Sequence, residues 1–309
     1  MKFDNLYQEL FYKALRIRLV EERIIALYPS DKIQSPVHLS IGQEAVAVGA
    51  CQPLKPTDLL FSTCRGHSFY LAKGGNMREM FAELYGKATG CCKGKGGSMH
   101  LAAPDVGLMG QSSIVTSTIP HAVGAALAAK RLNKDQVIVS VFGDGAVDEG
   151  VYHESINFAS LHKLPIIFLC ENNGLAVHSS IEDRQAFKIL EHVKAYGIST
   201  TYCPEGYDFE KVFTAFSGIV DHVRKNRLPH FIEINTFRYV EHVGHGEDYD
   251  DGYRARGELD AWKSRDSLIL DTELVDKYTP IILKKIDEAV EFAEKSPWPG
   301  REDLLSDVI

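Results

Sequence analysis

The sequence contains no run of about 20 apolar residues. Its long apolar stretches, such as Leu164 to Cys170, fall far short of a bilayer span. There is no signal-peptide core either, because the opening MKFDNLYQELFYKALRIRLVEER mixes charge into an amphipathic pattern. No basic run stands out: 34 Lys and Arg face 42 Asp and Glu, a formal charge of -8. That balance argues against an electrostatic nucleic-acid footprint. Six cysteines include no CxxC pair, and a bridge between the adjacent Cys91 and Cys92 would be strained. The thiols point to a reduced, cytoplasmic protein. No repeat or low-complexity tract occurs, and 45% hydrophobic with 10% aromatic residues excludes disorder as the main character. Two nucleotide motifs also fail. The segment from Gly90 to Lys95 (GCCKGK) has the wrong spacing for a P-loop and no following Ser or Thr, and no GxGxxG follows a strand pattern.

What is present is an alternation of periods. The first thirty residues read as a helix, with Leu10, Phe11, Ala14, Leu15, Ile17, Leu19 and Ile24 near a 3.6 spacing. Gly42 to Glu44 opens a small-residue helix through Ala50, and Gly86 to Gly97 reads as a flexible loop. Ile119 to Arg131 is a strong helix former with Pro120 in its first turn. Gln136 to Phe142 and Pro165 to Cys170 are nearly continuously apolar, as strands covered on both faces should be. Asp148 to His162 is a helix between them. Further on, Gly197 to Cys203 and His230 to Arg238 read as strands, and Asp208 to Lys225 and Thr279 to Glu294 as helices. The pattern predicts an α/β fold, a parallel sheet covered by helices. No composition break divides residues 1–309, so one domain is expected, with helical arms at residues 1–30 and 255–309.

The informative unit is VFGDGAVDEGVYHESINFASLHKLPIIFLCENNG, Val141 to Gly174. Strand, helix and strand form one right-handed crossover, so the strands are parallel and Asp144 and Asn173 emerge at the same sheet edge. One carboxylate and one amide oxygen there make part of an octahedral Mg²⁺ site, an ion that takes its remaining ligands from water and substrate phosphates. Gly143, Gly145 and Ala146 bring backbone N–H groups to the start of a helix, which suits a diphosphate. Taken singly, Asp144 could be a helix cap and Asn172-Asn173-Gly174 an ordinary turn. The H-x-x-H pair His242 and His245 lacks a third ligand and is weak as a metal site.

This unit resembles the GDG…NN signature of thiamine diphosphate enzymes. HLSIGQEAVAVGA, CRGH, MFAELYGKATGCCKGKGGSMH, SSIVTSTIPHAVGAALAAK and KLPIIFLCENN resemble, in order, the alpha subunit of the decarboxylating component of 2-oxo acid dehydrogenase complexes and the related acetoin dehydrogenase alpha subunits. The match runs over roughly residues 38–254. It implies the diphosphate-binding domain of the thiamine diphosphate fold, with Asp144, Asn173 and the Leu175 carbonyl holding Mg²⁺. It also implies that Arg65 grips the diphosphate, with Cys64 where a Tyr is usual. His67 would line the entrance to the reactive carbon, and Ser113 to Val115 would bind and support the aminopyrimidine. The mobile loop Arg238 to Arg254 would present a histidine, His242 being favoured over His245; no serine for phosphorylation stands between those arginines. The catalytic glutamate of the family belongs to a separate pyrimidine-binding domain, for which 309 residues leave no room. The resemblance therefore implies a beta subunit, an α2β2 assembly, a 2-oxo acid or acetoin as substrate, and a lipoyl acyltransferase core as acceptor. Two further readings stay open: an acyl or ketol transferase subunit with a non-lipoyl acceptor, and a non-catalytic scaffold.

Overall fold

The structure, a computed structural model, describes residues 2–306. Its strands are β1 (Leu59–Thr63), β2 (Leu108–Ser112), β3 (Ile138–Gly143), β4 (Ile166–Asn172), β5 (Leu175–Ala176), β6 (Ser179–Ser180), β7 (Ser199–Cys203) and β8 (His230–Asn235). Six of them form one parallel sheet in the order β2-β1-β3-β4-β8-β7, while β5 and β6 make a small antiparallel hairpin. The helices that concern the site are α1 (Leu6–Leu27), α2 (Glu44–Cys51), α3 (His67–Lys73), α4 (Met77–Leu84), α5 (Thr118–Arg131), α6 (Gly150–Leu161), α7 (Ile181–Arg184), α8 (Ile189–Ala195) and α9 (Phe209–Asn226). The chain ends in α10 (Arg256–Lys263), α11 (Ser267–Leu270) and α12 (Thr272–Lys295).

The apolar runs behave as a doubly covered sheet requires. Successive side chains alternate faces, so Val139, Val141, Ile167 and Leu169 pack with α1, α2 and α9 in one core. Ile138, Phe142, Ile166 and Phe168 pack with α5, α6 and α8 in the other. Neither terminal helix stands off as an arm. α1 buries Leu10, Phe11, Ile17, Val20 and Ile24, and α12 buries Ile282, Ile286, Ala289 and Ala293 in the same cluster. An amphipathic helix gains about 1.5–3 kcal/mol for each large apolar side chain it buries, so both are drawn into the body.

Three sequence boundaries move. α12 begins at Thr272, where the Asp271 carboxylate caps Leu274 N–H, and carries Pro280 inside it; the ladder loses one donor there without ending. β1 and β2, LLFST and LMGQS, are short and interrupted by Ser and Gly, and periodicity alone did not mark them. Between Asp144 and α6 the chain makes a 3₁₀ turn, Asp144–Asp148, before the α-helix starts at Gly150.

Candidate cofactor and active site

β3 and β4 pair in register, Phe142 with Cys170 and Gly143 with Glu171, so the chain leaves both strands at one edge. A cavity of about 380 Å³ opens there. Its wall comes from the ends of four neighbouring strands: Thr63 to Arg65 after β1, Ser112 to Thr116 around the end of β2, Phe142 to Ala146 after β3, and Asn173 with Leu175 to Val177 after β4. His38 and His242 complete it from two loops, and Asp148 and Glu149 add carboxylates.

Asp144 is buried, 1% exposed. Burial pushes its carboxyl above the usual range, and Arg184 pulls it back. Oδ1 accepts the Asn173 N–H at 3.3 Å, and Oδ2 accepts from Arg184 at 2.5 Å. The Asn173 side-chain oxygen accepts the Leu175 N–H at 3.0 Å, which folds two of the three predicted metal ligands into one turn. Gly145 has no room for a side chain, since a Cβ would stand 2.7 Å from that of Ala176.

Arg65 is buried beside them. Its guanidinium donates to the Leu39 carbonyl at 2.6 Å and the His242 carbonyl at 3.1 Å, with His242 Nδ1 at 3.3 Å. His38 meets His242 edge to face, ring centroids 5.3 Å apart. Burial and then the Arg65 charge hold both imidazoles neutral, His38 down to about 4 and His242 to about 3. His38 Nδ1 is buried without a hydrogen-bond partner among the described residues. Two β-branched residues of the wall, Thr116 at φ 68° and Val177 at φ 56°, sit in the left-handed region. Such strain persists only where the surroundings over-determine it, and it concentrates at ligand sites.

The structure brings together Arg65, Ser113, Val115, Gly143, Asp144, Gly145, Ala146, Asn173, Leu175 and His242 around this cavity. It does not bring His67. That side chain is fully buried, its Nδ1 3.2 Å from Glu21 and its Nε2 2.8 Å from the Ser98 hydroxyl, because α3 turns its first residue inward. His38 holds the place on the wall expected of it; nothing in the loop preceding α2 has a periodicity that could have singled it out. His245 is also away from the cavity, exposed and 5.0 Å in ring centroids from Tyr28. Loop 238–254 is pinned at its base, where Arg238 donates to Asp248 at 2.8 Å and Arg254 to the Arg238 carbonyl at 2.6 Å. A larger cavity, about 740 Å³, lies between α4, the glycine-rich segment and Trp298, and contains none of the predicted site residues.

This edge can now be set against known proteins. The sequence profile of the dehydrogenase E1 component family matches residues 12–302. The chain belongs to that family. Its similarity to the alpha subunit of Bacillus subtilis acetoin:2,6-dichlorophenolindophenol oxidoreductase is 36% identity, over 97% of this chain and 92% of that one. With the pyruvate dehydrogenase E1 alpha subunit of Rickettsia prowazekii it shares 34%, over 98% and 95%. With the chloroplastic alpha-3 subunit of Arabidopsis thaliana it shares 35%, over 97% of this chain and 73% of that one. Among solved structures, transketolase from Campylobacter jejuni has the same fold, with a TM-score of 0.59 and 18% identity. This E1-family chain is 97% covered by that alignment but spans only half of the transketolase chain.

The site fits the group that the family resemblance implies. Asp144, Asn173 and the Leu175 carbonyl are all hard oxygen donors, the set Mg²⁺ prefers, and Arg65 offers a planar fork beside them. Arg184, like His38, is a residue that sequence reading missed altogether. It lies 40 residues from Asp144 in a short helical turn, where no motif marks it. No described helix is long and apolar enough to cross a membrane.

Proposed function

We propose that this chain is the alpha subunit of a thiamine diphosphate- and Mg²⁺-dependent E1 enzyme that decarboxylates a 2-oxo acid or cleaves acetoin. The single observation carrying the reading is the convergence of Asp144, Asn173 and Arg65 with two neutral histidines on one cavity. Asp144, Asn173 and the Leu175 carbonyl would hold the ion, and Arg65 the diphosphate. Ser113 and Val115 stand where the aminopyrimidine would lie. When bound, the cofactor supplies a nucleophilic carbon and a sink for the resulting electron pair.

The chain's own contribution is placement and hydrogen bonding at the reacting centre. An imidazole held neutral can hydrogen-bond a reacting group without adding charge, and His38 and His242 are both kept neutral by burial and by Arg65. His67 acts one layer back, holding Glu21 and Ser98 together under the cavity wall.

The second half of the site comes from a beta subunit in this reading, giving an α2β2 enzyme that hands its acyl group to a lipoyl acyltransferase core. Ile114, 69% exposed, and Val115, 57%, support it, because apolar side chains ringing a polar cavity mark a surface to be covered. One domain here, completed by a pyrimidine-binding domain there, also fits a chain spanning half of transketolase. Six free cysteines suit a reducing compartment such as the cytoplasm. The test is Asp144→Ala in the enzyme co-purified with its beta-type subunit. Calorimetry should show Mg²⁺-dependent cofactor binding abolished, and lipoamide-dependent turnover of 2-oxo acids or acetoin with it. Full activity in this variant would sink the assignment.

A further inference from the structure

Arg184 fills a place built for a cation. Its Nη2 donates to Asp144 Oδ2 at 2.5 Å, its Nη1 pairs with Asp148, and its Nε faces the Ser180 carbonyl at 3.1 Å and the Ser179 carbonyl at 3.3 Å. Four oxygen acceptors thus surround one guanidinium. The arrangement is held from both sides. Gln185 donates to the Asp144 carbonyl at 3.0 Å, and Ala176 packs so closely on Gly145 that a Cβ would fall 2.7 Å away. The side chain is only 13% exposed, and Asp144 only 1%.

The two carboxylates are bonded to the two terminal nitrogens of the same guanidinium, so their oxygens face one point. Without a positive charge there, two buried or half-buried carboxylates would repel each other and collect a divalent cation from solution. With Arg184 in place, one charge is already balanced and one oxygen of Asp144 is already used.

We infer that Arg184 is a resident counter-ion that prevents the metal site from filling on its own, so that the ion enters only together with the diphosphate. The inference rests on the reading of Asp144 as a metal ligand. Arg184 is a positioning residue in this scheme. It leaves Asp144 Oδ1, on the Asn173 side, as the oxygen free to serve the ion, and it keeps the net charge too low for the bare ion to stay.

The experiment is a Mn²⁺ titration of the full chain co-purified with its beta-type subunit, followed by electron paramagnetic resonance without cofactor. The wild-type complex should bind Mn²⁺ weakly, and Arg184→Gln at least tenfold more tightly. Arg184→Lys, which keeps the charge, should behave like wild type; a purely structural role would not separate Lys from Gln. Equal affinity in wild type and Arg184→Gln would overturn the inference, as would tight cofactor-free binding by wild type. Should Arg184→Gln lose its thermal transition, the wild-type complex still decides. Its Mn²⁺ affinity must rise at least tenfold when thiamine diphosphate is added, and an unchanged affinity would overturn the counter-ion role. If thiamine diphosphate has no effect on any variant while Arg184→Gln still binds Mn²⁺ more tightly, the cofactor assignment fails and the counter-ion role survives.

Discussion

Two glycine-rich turns of this molecule each close around a carboxylate, and they do opposite things with it. Glu83, at the end of α4, is fully buried and accepts backbone N–H groups from Cys92 and Gly94 on one oxygen and from Gly96 and Gly97 on the other. Asp144, after β3, accepts one long bond from Asn173 and one side chain, Arg184. A carboxylate has about four acceptor positions. Glu83 has spent all of them on its own loop, and although Cys91 and Cys92 stand near enough to make a metal-like cluster, it has no oxygen lone pair left for an ion. Asp144 keeps acceptor capacity on Oδ1, which takes only the one long bond. Saturation distinguishes a carboxylate that builds structure from one that can bind a ligand, and sequence alone shows only that both are acidic residues near glycines.

The sharpest way to break this contrast is Glu83→Gln. The amide would present its NH₂ to two N–H donors and lose two charge-assisted bonds at roughly 1.5–3 kcal/mol each. We expect a loss of about 3–6 kcal/mol in denaturant unfolding, with any loss of cofactor binding following the loss of fold. Unchanged stability would show that the glycine loop holds itself.

Next in size is His38→Ala, expected to lower kcat by about 10²-fold while leaving cofactor affinity intact, as removal of a group that hydrogen-bonds the reacting centre does. His67→Asn should act through stability instead, because His67 is bonded to Glu21 and Ser98 and does not reach the cavity. A fall in kcat for His67→Asn at unchanged stability would reverse the two roles. His38 also gives a pH test. His38 titrates near 6.5 unfolded and about 4 folded, so between those values the unfolded chain binds the extra proton. Its contribution to stability is present above pH 6.5 and lost as pH falls toward 4, with a slope of at most about 1.4 kcal/mol per pH unit. His38→Ala should remove that slope from the acid limb of the unfolding free energy.

The smallest effect tests the strained rim. Thr116→Gly relieves a β-branched residue at φ 68° but adds freedom to the unfolded chain. The expected net is a gain of about 1 kcal/mol in stability, accompanied by weaker cofactor binding if the strain pre-organises Ser113 to Val115. A gain in both would mean that the strain serves nothing.

The parts of the molecule legible in sequence are those where one physical signal is strong. The buried strands β3 and β4 announce themselves by continuous apolar runs, and once their crossover is known Asp144 and Asn173 must share an edge. Arg65 and His242 were reachable only through motif resemblance, and the structure places both at the cavity. β1 and β2 stayed hidden because five-residue strands with Ser and Gly carry almost no period. His38 and Arg184 stayed hidden because their roles come from long-range packing. Arg184 meets Asp144 across 40 residues, and His38 reaches Arg65 and His242 only after three loops have converged. His67 misled for the converse reason: its motif is intact, but the first turn of α3 points it inward.

The exposed apolar rim at Ile114, Val115, Val177 and Val243 has a consequence for how this chain exists in a cell. A surface that gains by being covered ties folded-state free energy to mass action: each tenfold rise in the concentration of whatever covers it adds about 1.4 kcal/mol once binding is saturated. The melting temperature of such a subunit is then a property of stoichiometry as much as of sequence. Unequal synthesis of the two chains would leave the surplus copy the first to unfold.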